Sequence, residues 1–187
     1  MKQLSLSFLA LFIVLLFQNC KKSSDDTTAT TTTVLQASIN GTAWTPDTLS
    51  ANITYNAAAK TKVLNFTGTY NQRRLTCAVT LNNATNTNDF TIGSYTVDAT
   101  GNPLMTYSLQ QKDNSGNYVF VPVATAGTGD GLVAVSGVDA AKGIITGSFS
   151  FTTKKFNYDS SGNIISISNN VISSGIFTNM PYTFISQ

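Results

Sequence analysis

Leu75-Thr76-Cys77-Ala78-Val79-Thr80-Leu81 sets Leu75, Cys77, Val79 and Leu81 at every second position, with Thr76, Ala78 and Thr80 between them. Successive Cβ atoms of an extended chain point to opposite faces, so a period of two places those four side chains together on one face. Residues 74–82 are therefore predicted to form a strand with one buried face, in which Cys77 is an unreactive core thiol. The same alternation recurs along the chain. It predicts strands at 34–40, 50–56, 62–70, 92–97, 104–112, 117–123, 132–138, 143–153, 163–168 and 174–185. Pro181 cannot donate to a ladder, so the last strand is expected to be interrupted or to lie on an edge. No segment carries helical periodicity, and Ala57 to Lys60 reads as a turn.

Composition points the same way. The chain has no histidine and no glutamate, while Thr, Ser, Asn, Val, Ile, Tyr and Phe are abundant; these favour strands and turns over helices. Evenly spaced strands with turn signals between them predict an all-β fold, an antiparallel β-sandwich or a partly closed barrel. Residues 34–187 are of a size that makes one domain and buries about 68–70 % of its unfolded surface.

Three turns share one pattern: Asp98-Ala99-Thr100-Gly101-Asn102, Asp113-Asn114-Ser115-Gly116-Asn117 and Asp159-Ser160-Ser161-Gly162-Asn163. An aspartate accepts hydrogen bonds from amides just after it, and glycine supplies the positive φ that closes a type I turn with a bulge. All three read as hairpin turns. Oxygen-rich loops also bind calcium, which makes Asp98, Asp113 and Asp159 the candidate ligands. Each copy, however, brings a single carboxylate and no glutamate, so no metal is expected. Gly127-Thr128-Gly129-Asp130-Gly131 lacks the lysine and the helix of a phosphate-binding loop and is expected to be a mobile loop.

Without histidine there is no histidine-based triad, metal site or Cys-His pair. With three aspartates given to turns, a carboxylate pair would have to come from Asp47, Asp89, Asp130 and Asp139. None of these lies in an aspartic-protease tripeptide, and no Gly-x-Ser-x-Gly elbow is present. The chain is not expected to be an enzyme or to need a cofactor. Tyr107, Tyr118, Phe120, Phe149, Phe151, Phe156 and Tyr158 would form a sugar-stacking platform if several were exposed together, although Phe149 and Phe151 share parity with Ile145 and belong first to the core.

The N-terminal segment carries a different message. Lys2 precedes an apolar run, Leu4 to Phe17, of 14 residues, shorter than the roughly 20 that span a bilayer. The run ends in Leu16-Phe17-Gln18-Asn19-Cys20, followed by Lys21-Lys22-Ser23-Ser24-Asp25-Asp26. This resembles a bacterial lipoprotein signal, with Asn19 standing where Gly, Ala or Ser is usual. The resemblance implies a signal peptide over 1–19, lipidation of Cys20, and a polar linker over 20–33 that is expected to be disordered. The linker would span roughly 40 Å at most. Without Lys2 the chain has 10 basic against 9 acidic residues, which gives no electrostatic case for nucleic acid. Asp26-Thr27-Thr28 and Asp47-Thr48-Leu49 match a short glycosylation pattern of exported Bacteroidota proteins, with Thr27 and Thr48 as acceptors.

Three further stretches, Ala37-Ser38-Ile39-Asn40-Gly41-Thr42-Ala43-Trp44, Gly93-Ser94-Tyr95 and Ile145-Thr146-Gly147-Ser148-Phe149-Ser150-Phe151, resemble those of small Bacteroidota lipoproteins whose function is not established. The resemblance implies an outer-membrane, lipid-anchored location, with Asp25 and Asp26 similar to the signal that sends such proteins to the cell surface. It brings no catalytic residue. Asn40-Gly41 suits a tight hairpin turn, and Trp44 a core plug at the entrance of the domain. The expected function is a non-catalytic envelope binding module whose partner is a carbohydrate or an envelope protein. The alternatives are a structural or assembly component of the outer-membrane surface with no small ligand and, more remotely, a hydrolase.

Overall fold

The computed structural model describes residues 33–187, all of whose regular elements are strands. β1 (Leu35–Ile39) and β2 (Thr42–Trp44) form a hairpin across Asn40-Gly41. β3 (Thr48–Asn56), β4 (Thr61–Tyr70) and β5 (Arg73–Leu81) follow as a meander. Leu75, Cys77 and Val79 are buried on β5 as their alternation predicts. The chain continues through β6 (Gly93–Thr96), β7 (Leu104–Lys112), β8 (Tyr118–Asp139), β9 (Ile144–Tyr158), β10 (Ile164–Pro181) and β11 (Thr183–Ser186).

The strands make one sheet in the order β11-β3-β4-β5-β7-β8-β9-β10-β1-β2, with β6 paired to β8. The sheet curls into a half-barrel, a single all-β domain. The curl is visible in the core: Phe66 on β4 packs against Phe149 on β9 at 5.5 Å and Phe177 on β10 at 5.2 Å between ring centroids. Trp44 is 2 % exposed, in keeping with a core plug. Gly147 and Phe177 face each other across the β9–β10 ladder, as do Phe149 and Gly175. Each ring lies over the facing glycine, where an added Cβ at Gly147 would fall 2.4 Å from Phe177 Cζ and 2.1 Å from the Ala134 carbonyl oxygen. The alternation of Gly147, Phe149 and Phe151 thus fills the inner face of β9 with rings.

Four expectations are corrected. The segments 117–123 and 132–138 belong to one strand, β8. The tract Gly127–Gly131 is not a mobile loop but a bulge within that strand. There the ladder to β9 steps from Ala126↔Thr153 to Gly131↔Phe151. Gly129 takes a φ of +76° and donates its amide to the Val97 carbonyl, while Val97 donates to the Gly131 carbonyl. The backbone therefore kinks without losing its partners. The segment 163–168 likewise joins the first part of 174–185, as β10, across a register shift at Ile172/Gly175, while the interruption expected at Pro181 is present and separates β10 from β11. Finally, the sheet is not purely antiparallel. Beyond Pro181 the chain crosses over, and β11 runs parallel to β3, from Thr183↔Asn52 to Ser186↔Tyr55.

Candidate binding surface

Two hairpins outrun the sheet that supports them. β5 accompanies β7 only as far as Leu109, so Gln110–Lys112 and Tyr118–Phe120 form a short arm with the Asp113 turn at its tip. β9 loses β8 beyond Thr153, and β10 loses β1 beyond Ile172. Lys154–Tyr158 and Ile164–Asn169 are thus a two-stranded arm with the Asp159 turn at its tip. Asn40 pins the root: its amide donates to the Val171 carbonyl, and its side-chain oxygen accepts from the Val171 amide at 2.8 Å. On the other side Lys154 Nζ donates to both carboxylate oxygens of Asp130, at 2.8 and 2.7 Å, tying the arm to the bulge in β8.

The longer arm is amphipathic, and its apolar side faces water. Parity from the buried Phe149, Phe151 and Thr153 carries Lys155 and Asn157 onto the inner side of β9, and Phe156 and Tyr158 onto the outer. Phe156 stands opposite Ile167 and Tyr158 opposite Ile164, with a register shift between Ile164 and Ser166. Phe156, Tyr158, Ile164 and Ile167 are 42, 58, 53 and 52 % exposed. The opposite side is polar: Asn157 Nδ2 donates to Ser166 Oγ at 2.9 Å and reaches Ser168 Oγ at 3.4 Å. At the root, a shallow groove lined by Thr96, Leu132, Ser150, Thr152, Val171 and Ser173 continues the strip along the outer faces of β8, β9 and β10. Isolated exposed apolar residues need no explanation, whereas a contiguous row rimmed by polar groups marks an interaction surface.

No family model, curated protein or solved structure matches this chain. The site therefore rests on its own geometry, and the residues singled out in the sequence sort themselves accordingly. Cys20 and Thr27 lie outside the described residues. Thr48 is exposed at the start of β3, where its hydroxyl donates to Asp47. Asp98, Asp113 and Asp159 sit in three separate turns. Each Oδ1 accepts two amides of its own turn: Thr100 and Asn102, Ser115 and Asn117, Ser161 and Asn163. Hydrogen bonds led by the Thr100 hydroxyl hold the Asp98 carboxyl below its ordinary range, and those led by the Asn163 amide do the same for Asp159. These carboxylates serve as turn caps. Among the described residues no group of three or more Asp or Cys side chains is placed to hold a metal ion.

Asp89, Asp130 and Asp139 are engaged by Lys62, Lys154 and Lys142 at 2.9, 2.7 and 2.8 Å. Lys62 is the unusual member, with 4 % of its side chain exposed. Its ammonium donates to Thr87 Oγ1, the Asp89 carbonyl and Asp89 Oδ1, which satisfies all three of its hydrogens and straps the loop between β5 and β6 against β4. Burial pushes the Cys77 thiol well above its ordinary value. Of the aromatic residues considered for stacking, Tyr107, Phe149 and Phe151 are buried, so the platform is not the set expected. Phe120 is half-buried beneath the Arg74 guanidinium, 3.8 Å from its centroid, and Tyr118, Phe156 and Tyr158 are exposed. Ile164 and Ile167 were not among the residues picked out, because the register shift between Ile164 and Ser166 that sets them opposite Tyr158 and Phe156 has no signature in the alternation.

Proposed function

We propose that this chain is a non-catalytic binding module of the cell envelope, held to the outer membrane by lipid on Cys20, whose working surface is the outer side of the β9–β10 arm and whose partner is another envelope protein. The observation that carries this reading is the exposed row Phe156, Tyr158, Ile164 and Ile167. Branched aliphatic side chains beside the rings suit an apolar protein surface better than a sugar, which stacks on flat rings and needs polar groups alongside. β1 enters opposite Phe177 and leaves opposite Ile172, so Leu35 lies at the end of β10 away from the arm.

The test is recovery of partners from envelope extracts by the intact protein and by a Phe156→Ser/Ile167→Ser variant. The proposal predicts a protein retained by the former and lost by the latter. Equal recovery by both would remove the arm from the function. A second reading, carbohydrate, is favoured by the hydroxyl-lined groove of Thr96, Ser150, Thr152 and Ser173 beside the rings. It predicts a raised melting midpoint with one sugar class, since ligand that binds the folded state stabilises it by mass action.

A further inference from the structure

The arm segment of β9 and its turn read Lys155-Phe156-Asn157-Tyr158-Asp159. Set antiparallel to a second copy of itself, this pentapeptide is self-complementary: cation against carboxylate, ring against ring, amide against amide. Over 154–158 β9 pairs with β10 along one edge only, because β8 departs at Ala126↔Thr153. The other edge has no ladder partner among the described residues, and unpaired amides and carbonyls are a template for another strand. The stretch of β8 ahead of its pairing with β9 carries Pro122, a residue that blunts an edge. The β9 segment has no proline. Its guard is Lys155, whose ammonium makes no ion pair among the described residues and repels an arbitrary strand but not one that brings an aspartate opposite.

We propose that two copies of this chain join through this edge, β9 against β9, antiparallel about a twofold axis at Asn157. In that register Lys155 faces Asp159 of the second copy and Phe156 faces its Tyr158, each pair occurring twice, and Asn157 faces its own counterpart. Such a contact is isologous and closes on itself. Cross-strand pairs of opposite charge and of aromatic rings are the ones that stabilise a ladder. The union converts two hairpins, each marginal in water as a two-stranded unit, into a four-stranded sheet. Its outer side carries Ile167 and Phe156 of one copy in a row with Tyr158 and Ile164 of the other. This pairing goes beyond the proposed function and does not rest on it.

The experiment places one cysteine on the axis. Asn157→Cys is made in the full chain with Cys20→Ser, leaving the buried Cys77 as the other thiol. Facing residues of antiparallel strands have Cα atoms about 4.5–5.5 Å apart, within the span that a disulfide bridges. Mild oxidation is expected to convert most of this variant to a covalent dimer, whereas Ser115→Cys, on the tip of the other arm, stays monomeric. Lys155→Asp should abolish the cross-link and return the sedimenting species to a monomer. Lys155→Asp mixed with Asp159→Lys should give a dimer containing one of each, since every facing pair is then again opposite in charge. A monomer whose Asn157→Cys form cross-links no faster than Ser115→Cys would overturn the proposal. So would a dimer unaffected by Lys155→Asp. Cross-linking from position 157 in intact cells only to other proteins would also overturn it, assigning the edge to a foreign strand.

Discussion

Lys62 and Asp89 show how one side chain can decide where a loop lies. The lysine is buried and the aspartate is 62 % exposed, so the charge that needs compensation belongs to Lys62. Replacing Asp89 by Ala leaves that ammonium with two neutral acceptors, and a loss of about 1–2 kcal/mol is expected in urea unfolding. Hydrogen bonds from Thr87 and then Lys62 hold the pKa of Asp89 below its ordinary range. A carboxylate with a depressed folded-state value contributes stability that is complete above its unfolded value, near pH 4, and is lost as pH falls through the folded one. Asp98 and Asp159 shift in the same direction. With no histidine in the chain, the urea midpoint should be level from about pH 5 to 8 and fall below about pH 4. Asp89→Asn should show less of that acid fall. Gly147→Ala should cost roughly 3 kcal/mol, because the new methyl meets the Ala134 carbonyl and the Phe177 ring; a shift in the denaturation midpoint with an unchanged slope would confirm it.

The turns are the elements that could be read most directly from the sequence. Asp at the first position, Gly at the fourth and Asn at the fifth specify the same geometry three times, and Gly101, Gly116 and Gly162 take φ of +78, +81 and +84°. Gly116→Val forces a β-branched residue into that region and should destabilise by about 1–2 kcal/mol, with or without calcium. A melting midpoint raised by calcium and insensitive to Asp113→Ala would leave the turn reading intact and place the ion elsewhere. Strand continuity was harder to see. Gly127–Gly131 carries the composition of a loop, and bonds between distant residues keep it in the sheet: Gly129 and Gly131 with Val97, Thr128 with the Asp98 carbonyl and Asp130 with Lys154. β2, three residues long, is too short for any period to register. The arms were hidden for another reason. Alternation reports which residues share a side, as for Phe156 and Tyr158, but not whether another layer covers that side.

For the molecule as a whole, the all-β class followed from alternation and composition, whereas the curl and the parallel β11–β3 pair depend on contacts between distant segments that no local pattern encodes. Phe66 meeting Phe149 and Phe177 is such a contact. The proposed lipid anchor is tested at this scale too: Cys20→Ser is expected to release the protein from the membrane fraction, and continued retention would count against lipidation.

β1 has a further bearing on how the chain matures. It pairs with β2 and with β10, and its register joins Leu35 to Phe177 and Ile39 to Ile172. A chain made from its N-terminus onward cannot form that second pairing until residues beyond 170 have emerged, so its first strand waits longest for its neighbour. Such long-range closure slows folding and leaves an apolar strand available to the wrong partner in the interval. Leu35, Ala37 and Ile39, all buried in the finished sheet, are the apolar side chains of β1 that stay without their β10 neighbours in that interval.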